Sequence, residues 1–340
     1  MNSSRPRALR AHGSVRGKPL NRWRWLLRML LPAAMLLFAY LLLNAVERLD
    51  WADIKASLLK LEAAKIWGCI ALTAATYGVA SAYEVLSKRH ERHAVRARSC
   101  LCIGFVAYAI AANLSALLGN WGVRYRLYAR KGIGFRQTTR LAITSISTNW
   151  SGFVLLAGLV FLLLPPQLPL RFPIHEALVR GTGAVLLACT VTYLVICIRR
   201  PGQRWQLRGI RFTVPIFNIA LLQLLLSGLV WLGIASVIHH LLPAKAPFHS
   251  VLAVLFLSTL AGLVIRAPAG VGVTEVVFVS VLGPTLGTSA VVAALLAYRA
   301  VFQLLPVLLA ASLYLLLELQ WRQKPTSPQP AGAAPLGIAR

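Results

Sequence analysis

Long apolar runs alternate with short basic stretches along this chain. Continuous apolar segments occupy Leu26–Val46, Ile66–Leu86, Leu141–Leu164, Leu178–Ile198, Val214–Ile238 and Val291–Leu317. As helix, a run of ~20 residues rising ~1.5 Å each crosses the hydrocarbon core of a bilayer. The pattern predicts an all-α polytopic transmembrane helical bundle of about eight hydrophobic segments. Three more apolar stretches, Leu101–Leu118, Val251–Ile265 and Val271–Leu282, are short or interrupted by Gly, Pro and polar residues.

Charge in the connections sets the expected orientation. The arm ahead of the first span carries Arg5, Arg7, Arg10, Arg16, Lys18, Arg22 and Arg24. Lys and Arg collect on the cytoplasmic side, so this arm is expected inside. The stretch Glu47–Lys65 mixes signs and reads as an outer loop. Lys88–Arg98 and Arg199–Arg211 read as inner loops, and Pro165–Glu176 and His239–His249 as outer ones. Residues 1–24 are thus expected to form a basic cytoplasmic arm and 25–320 the transmembrane domain. Residues 321–340 are expected to form a disordered tail, rich in Pro and Ala, with the C-terminus cytoplasmic. The first apolar run exceeds the length of a cleavable signal core and lacks a small-residue cleavage site, so it reads as a retained helix.

Two regions break the alternation. Leu101–Leu118 has basic stretches on both sides, the second holding Arg124, Arg126, Arg130, Lys131, Arg136 and Arg140. A segment whose two flanks both belong inside is expected to be re-entrant or broken. Such backbone survives at membrane depth only where protein or a wet cavity surrounds it. In the second region Pro268, Gly270 and Gly272 loosen a helix ahead of an apolar stretch too short to span. Gly119-Asn-Trp-Gly-Val-Arg124 and Ala269-Gly-Val-Gly-Val-Thr274 share Gly-Val spacing, which hints at an internal duplication.

Composition agrees with a membrane protein. The 340 residues are 58% hydrophobic and 13% charged, against ~25% charged in soluble domains. The net charge of +27 sits between apolar runs rather than in a soluble domain with stacking aromatics, which argues against nucleic acid as partner. Anionic and polar membrane lipids are the expected partners. Cys69, Cys100, Cys102, Cys189 and Cys197 show no zinc spacing and read as free thiols.

The two interrupted regions also carry a resemblance. Gly119-Asn-Trp-Gly-Val-Arg-Tyr-Arg-Leu-Tyr-Ala-Arg-Lys-Gly132 and Pro268-Ala-Gly-Val-Gly-Val-Thr-Glu275, followed by Tyr298, Arg299, Gln303 and Pro306, resemble the signatures of the lysylphosphatidylglycerol synthetase transmembrane region. That flippase-like family is similar over about residues 25–320. Two positions depart from it. Thr274 stands where the family usually has arginine, and Asn149 or a neighbour stands where it often has an acid. The resemblance implies the lipid-translocating or lipid-binding half, without the soluble aminoacyl-transferase domain. It also implies a bacterial inner membrane and relatives beside lipid- or glycan-synthesis enzymes.

Ionisable residues at membrane depth are costly and have a partner or a role. Glu275 opens a short half-helix, Arg299 lies inside the last span, and Gln303 is four residues on along the same face. Glu275 and Arg299 are expected either to pair, locking two helices, or to face a polar cavity that holds a lipid headgroup. Arg124 is a candidate to receive a lipid phosphate, since guanidinium groups hold phosphates bidentately. Asn113 and Asn149 are candidates to line a cavity or join helices. Gly119, Gly122, Pro268, Gly270 and Gly272 are the expected helix breakers. Glu84 reads as a partner of Lys88. Enzyme signatures are missing: His90 and His93 are too close for a zinc helix, and no phosphate-binding lysine follows the glycines. No catalytic residue, metal or cofactor is expected. The two function classes left open are a lipid flippase or carrier and a non-transporting lipid-binding accessory protein or scaffold.

Overall fold

The computed structural model describes residues 51–59, 62–113, 118–166, 175–207, 210–243, 246–265 and 270–323. The expected arm, first span, outer tip after Pro165–Pro166, Pro268 and the end of the tail lie outside these residues. The chain within them is helical. In order the helices are α1 Trp51–Leu59, α2 Ala63–Glu91, α3 Ala97–Asn113, α4 Arg124–Ala129, α5 Phe135–Leu163 and α6 Glu176–Arg199. They continue as α7 Phe217–Leu241, α8 Phe248–Ile265, α9 Val273–Leu286, α10 Thr288–Tyr298 and α11 Leu305–Gln323. Six of the described helices are long and apolar enough to cross a membrane, with α10 and α11 counted as one continuous span.

Two local elements depart from the sequence expectation. The stretch read as an outer loop, Glu47–Lys65, contains a helix, α1, whose Ile54 finds an apolar seat against Val292 and Ala293 of α10. The basic loop after α6 contains a two-stranded hairpin, β1 Arg204–Leu207 and β2 Ile210–Thr213, paired antiparallel. Trp205 packs there beside a small core of Cys197, Val214 and Ala220.

Lipid tails are as apolar as leucine, so helices in a membrane associate through close packing rather than through exclusion from water. The contact between α5 and α7 shows this. A Cβ on Gly152 would stand 2.3 Å from the Gly228 nitrogen, so only glycine permits this approach. Beside it Phe153, Trp231 and Phe256 form an aromatic core, with centroids of Phe153 and Phe256 5.2 Å apart. Ser227 and Trp231 of α7 both donate to the Asn149 carbonyl of α5, at 2.6 and 3.0 Å. In contrast α6 leaves Leu178, Val185, Val191, Val195 and Ile198 exposed, a surface suited to lipid.

Contacts between helix ends define the two ends of the bundle. At one end Glu91 of α2 pairs with Arg140 of α5 at 2.9 Å, and His90 lies 3.1 Å from the Thr213 carbonyl of β2. Glu318 of α11 pairs there with Arg126 and Arg130, at 2.8 and 3.0 Å. This is the basic end. At the other end the start of α2 meets the end of α7, where Gly68 faces the His240 ring. His239 stacks edge-on against Phe248 at the start of α8, and α1 meets α10.

Two helical hairpins enter from these opposite ends. The first, α3 with α4, leaves and returns at the basic end, its second arm opening with a π-helical turn at Leu118–Val123. The second, α8 with α9, starts beside His239 and finishes at the other end, where α10 begins. Each has a short arm: α3 has 17 residues and α9 has 14, or ~26 and ~21 Å at ~1.5 Å per residue. The arm α8, with 18 residues, is one of the six helices long enough to cross, longer than the sequence suggested for Val251–Ile265. The Gly119 and Gly270 motifs, expected to interrupt helices, each lie at the turn into a second arm.

Candidate functional site

Both hairpins converge on one point of the last span. There α10 gives way to a π-helical turn, Arg299–Leu304, before α11. The cause is Pro306, which lacks an N–H and crowds the carbonyl four residues back, that of Phe302. The Leu305 amide reaches instead to the Ala300 carbonyl. Buried carbonyls need donors from elsewhere. Tyr77 of α2 donates its hydroxyl to the Phe302 carbonyl at 3.0 Å, and Asn113, at the inner end of α3, donates Nδ2 to the Gln303 carbonyl at 3.2 Å. The first hairpin therefore reaches this turn.

The second hairpin reaches it through Arg299. Gly270 and Gly272 adopt φ of 64° and 79°, a left-handed backbone that side chains disfavour, and this lets the chain turn from α8 into α9. Glu275 sits in the first turn of α9, and its Oε2 accepts from the Gly272 amide at 2.8 Å. Arg299 donates Nε to Glu275 Oε1 at 2.5 Å and a terminal nitrogen to Oε2 at 3.0 Å. It also donates to Gln303 Oε1 at 2.9 Å and lies 3.5 Å from the Gly270 carbonyl. Arg299 is eleven residues into the span that starts at Thr288, or ~16 Å of helix, so it sits within the bundle rather than at an end. The two side chains keep 16% and 22% of their surface open.

Arg124 belongs to a different group. It donates Nε to Glu84 Oε1 at 2.5 Å and a terminal nitrogen to Ser145 at 2.9 Å. Tyr128 donates to the other Glu84 oxygen at 2.7 Å. With 3% and 0% exposure for Arg124 and Glu84, this cluster is sealed by α2, α4 and α5. Glu84 thus takes its partners from across the bundle; the expected pairing with Lys88, four residues on, is replaced. Glu84 was missed as a site residue because an acid four residues before a lysine already has a local explanation.

The other expected residues fall in two places. Asn113 and Gln303 belong to the Arg299 region. Asn149 lies in the α5–α7 contact, where its carbonyl rather than its side chain makes the described bonds. Gly119 and Gly122 lie in the first π-helical turn.

The chain is similar to proteins of two bacteria. It is 32% identical over 300 residues to the inner membrane protein YbhN of Escherichia coli, across 88% of this chain and 94% of that protein. It is 28% identical over 271 residues to the uncharacterized protein slr0712 of Synechocystis sp., across 78% of this chain and 83% of that protein. No protein-family model matches the chain.

Proposed function

We propose that this chain, which belongs to the family of the inner membrane protein YbhN, carries a lipid with an anionic headgroup across the bacterial inner membrane. The observation that carries this reading is the Arg299–Glu275 pair, held between two oppositely directed hairpins and still partly open. The sealed Arg124–Glu84 pair offers no such opening. The resemblance of these segments to the lysylphosphatidylglycerol synthetase transmembrane region supports a lipid as cargo.

The chemistry favours exchange. A lipid phosphate can take the place of the Glu275 carboxylate on Arg299, trading one anion for another without stranding the guanidinium. Glu275 keeps a partner after release, because the Gly272 amide and the N-terminus of α9 stabilise its charge. Gln303 holds the guanidinium in place during the exchange. On this reading the basic end faces the cytoplasm, as the distribution of Lys and Arg favours. Arg299 is then reached from either side as one hairpin or the other shifts.

Purified protein reconstituted into liposomes with labelled phosphatidylglycerol and phosphatidylethanolamine tests the reading, with label accessible from outside followed over time. Wild type is expected to speed exchange between leaflets, and Arg299→Gln to abolish that gain while inserting normally. Failure to move any lipid, together with stable co-purification of a lipid- or glycan-synthesis enzyme, would instead favour an accessory or scaffold role.

A further inference from the structure

We propose that a second anion site, separate from Arg299 and built to hold a phosphate group, lies at the basic end of the bundle beneath the first hairpin. A pocket of about 370 Å³ opens there between the stretch that leads into α3 and the turn that ends α4. Its walls are Ala94, Val95, Arg96 and Ser99 on one side and Lys131 and Ile133 on the other.

The donors in this pocket converge from two elements. Arg96 caps α3, its carbonyl accepting from the Cys100 amide at 3.1 Å. The amides of the first helical turn lack acceptors within the helix and carry partial positive charge. Ser99 adds a hydroxyl in that same turn. Arg96 supplies a planar fork of donors and Lys131 a compact charge. Four neighbouring arginines are committed elsewhere: Arg124 to Glu84, Arg126 and Arg130 to Glu318, Arg140 to Glu91. Arg89, Arg92 and Arg98 do not line the pocket. Arg96 and Lys131 have no carboxylate within ion-pair distance among the described residues. Both side chains are exposed, so solvent screens their mutual repulsion, and a bound anion would gain a charge-assisted contact from each.

The pocket is also held in shape before any ligand arrives. His93 accepts from the Val95 amide at 3.3 Å, which fixes the first wall. Tyr128 fixes the second, its carbonyl accepting from the amides of Lys131 and Ile133 at 2.8 and 3.1 Å. The His93 and Tyr128 rings meet edge to face with centroids 5.7 Å apart, so the two walls are joined. Ala94, Val95 and Ile133 leave part of the lining apolar, which suits the glycerol end of a phospholipid as well as a free phosphate.

Full-length protein in detergent, titrated with short-chain phosphatidylglycerol and separately with inorganic phosphate, tests this site. Arg96→Gln/Lys131→Gln is expected to weaken binding about tenfold or more, from the loss of two charged hydrogen-bonding groups. Ile133→Trp, which fills the pocket without changing charge, is expected to cause a similar loss. Arg89→Gln/Arg92→Gln, with the same change in net charge nearby, is expected to leave binding as in wild type. Binding of the lipid but not of phosphate identifies a headgroup site, and binding of both equally identifies a phosphate site. The proposal is overturned if neither binds, if the Arg89/Arg92 variant loses as much, or if Ile133→Trp binds as wild type. All titrations are made in the Arg299→Gln background, which removes the guanidinium of the transport reading, so failure here is separable from failure of that reading.

Discussion

Asn113 and Gln303 are 190 positions apart in the chain, yet the Asn113 amide donates to the Gln303 carbonyl at 3.2 Å. That bond ties the inner end of the first hairpin to a turn loosened by Pro306. The neighbouring Phe302 carbonyl, freed by the same proline, is held by Tyr77. A defect in one helix has thereby become an attachment point for two others.

This attachment has a measurable signature. Tyr77→Phe leaves the Phe302 carbonyl short of a donor and should cost ~1–3 kcal/mol. In a Pro306→Ala background residue 306 regains an amide that can serve that carbonyl, so the same change should cost much less. A double-mutant cycle on unfolding in mixed micelles reads the coupling, expected at about 1 kcal/mol or more. Equal costs in both backgrounds would show that the proline and the tyrosine act independently.

The Arg299–Glu275 pair separates transport from packing. Arg299→Gln and Glu275→Gln should each stop lipid movement in liposomes. The double variant, which removes both charges, should recover thermal stability relative to the single changes but not transport. Recovery of transport in the double variant would reduce the pair to a brace between α9 and α10.

The sealed pair should behave differently. Glu84→Gln strands Arg124 in a site 3% exposed and is expected to destabilise by ~3–5 kcal/mol. Replacing both residues by apolar ones of similar size, Glu84→Leu with Arg124→Met, should recover most of that loss. Thermal unfolding of the purified variants decides this, and an undiminished melting temperature for Glu84→Gln alone counts against a buried charge pair.

His93, in the connection between α2 and α3, gives a pH dependence. It is buried with Nε2 unpartnered. Burial, followed by the charge of Lys88, lowers its pKa from the ordinary 6.5, while Glu84 opposes the shift. The unfolded chain therefore binds a proton more readily than the folded one. The stability that neutral His93 contributes is present above about pH 6.5 and is lost as pH falls from there toward the depressed folded value. His93→Gln should flatten the fall in melting temperature between roughly pH 7 and pH 5. An unchanged slope would assign that fall to other groups.

Close packing between α5 and α7 rests on Gly152. Gly152→Val should disrupt this contact, because even a Cβ would stand 2.3 Å from the Gly228 nitrogen. Overpacking typically costs ~1–3 kcal/mol, and a clash with backbone belongs at or above the top of that range. Lower thermal stability, with normal membrane insertion, is the expected result.

Much of this architecture was written in the order of residues. Apolar length picked out five of the six long described spans, because a bilayer demands ~20 apolar residues with every backbone group satisfied inside the segment. The sixth, α8, was read as the short stretch Val251–Ile265, and the helix begins three residues earlier, at Phe248. Gly270 and Gly272 marked the second break, since only glycine accepts their backbone readily. Arg299 and Gln303 were legible as neighbours because four residues make a helical turn. Partner choice across the bundle was not legible. Lys88 lies one turn from Glu84, yet Arg124 and Tyr128 hold it, forty and forty-four residues away. That outcome depends on which helices approach closely, and so on contacts such as Gly152 against Gly228 that no local spacing encodes. Only the tertiary structure brought two hairpins from opposite ends onto Arg299 and Gln303, because backbone groups freed in one helix had to find their donors in others.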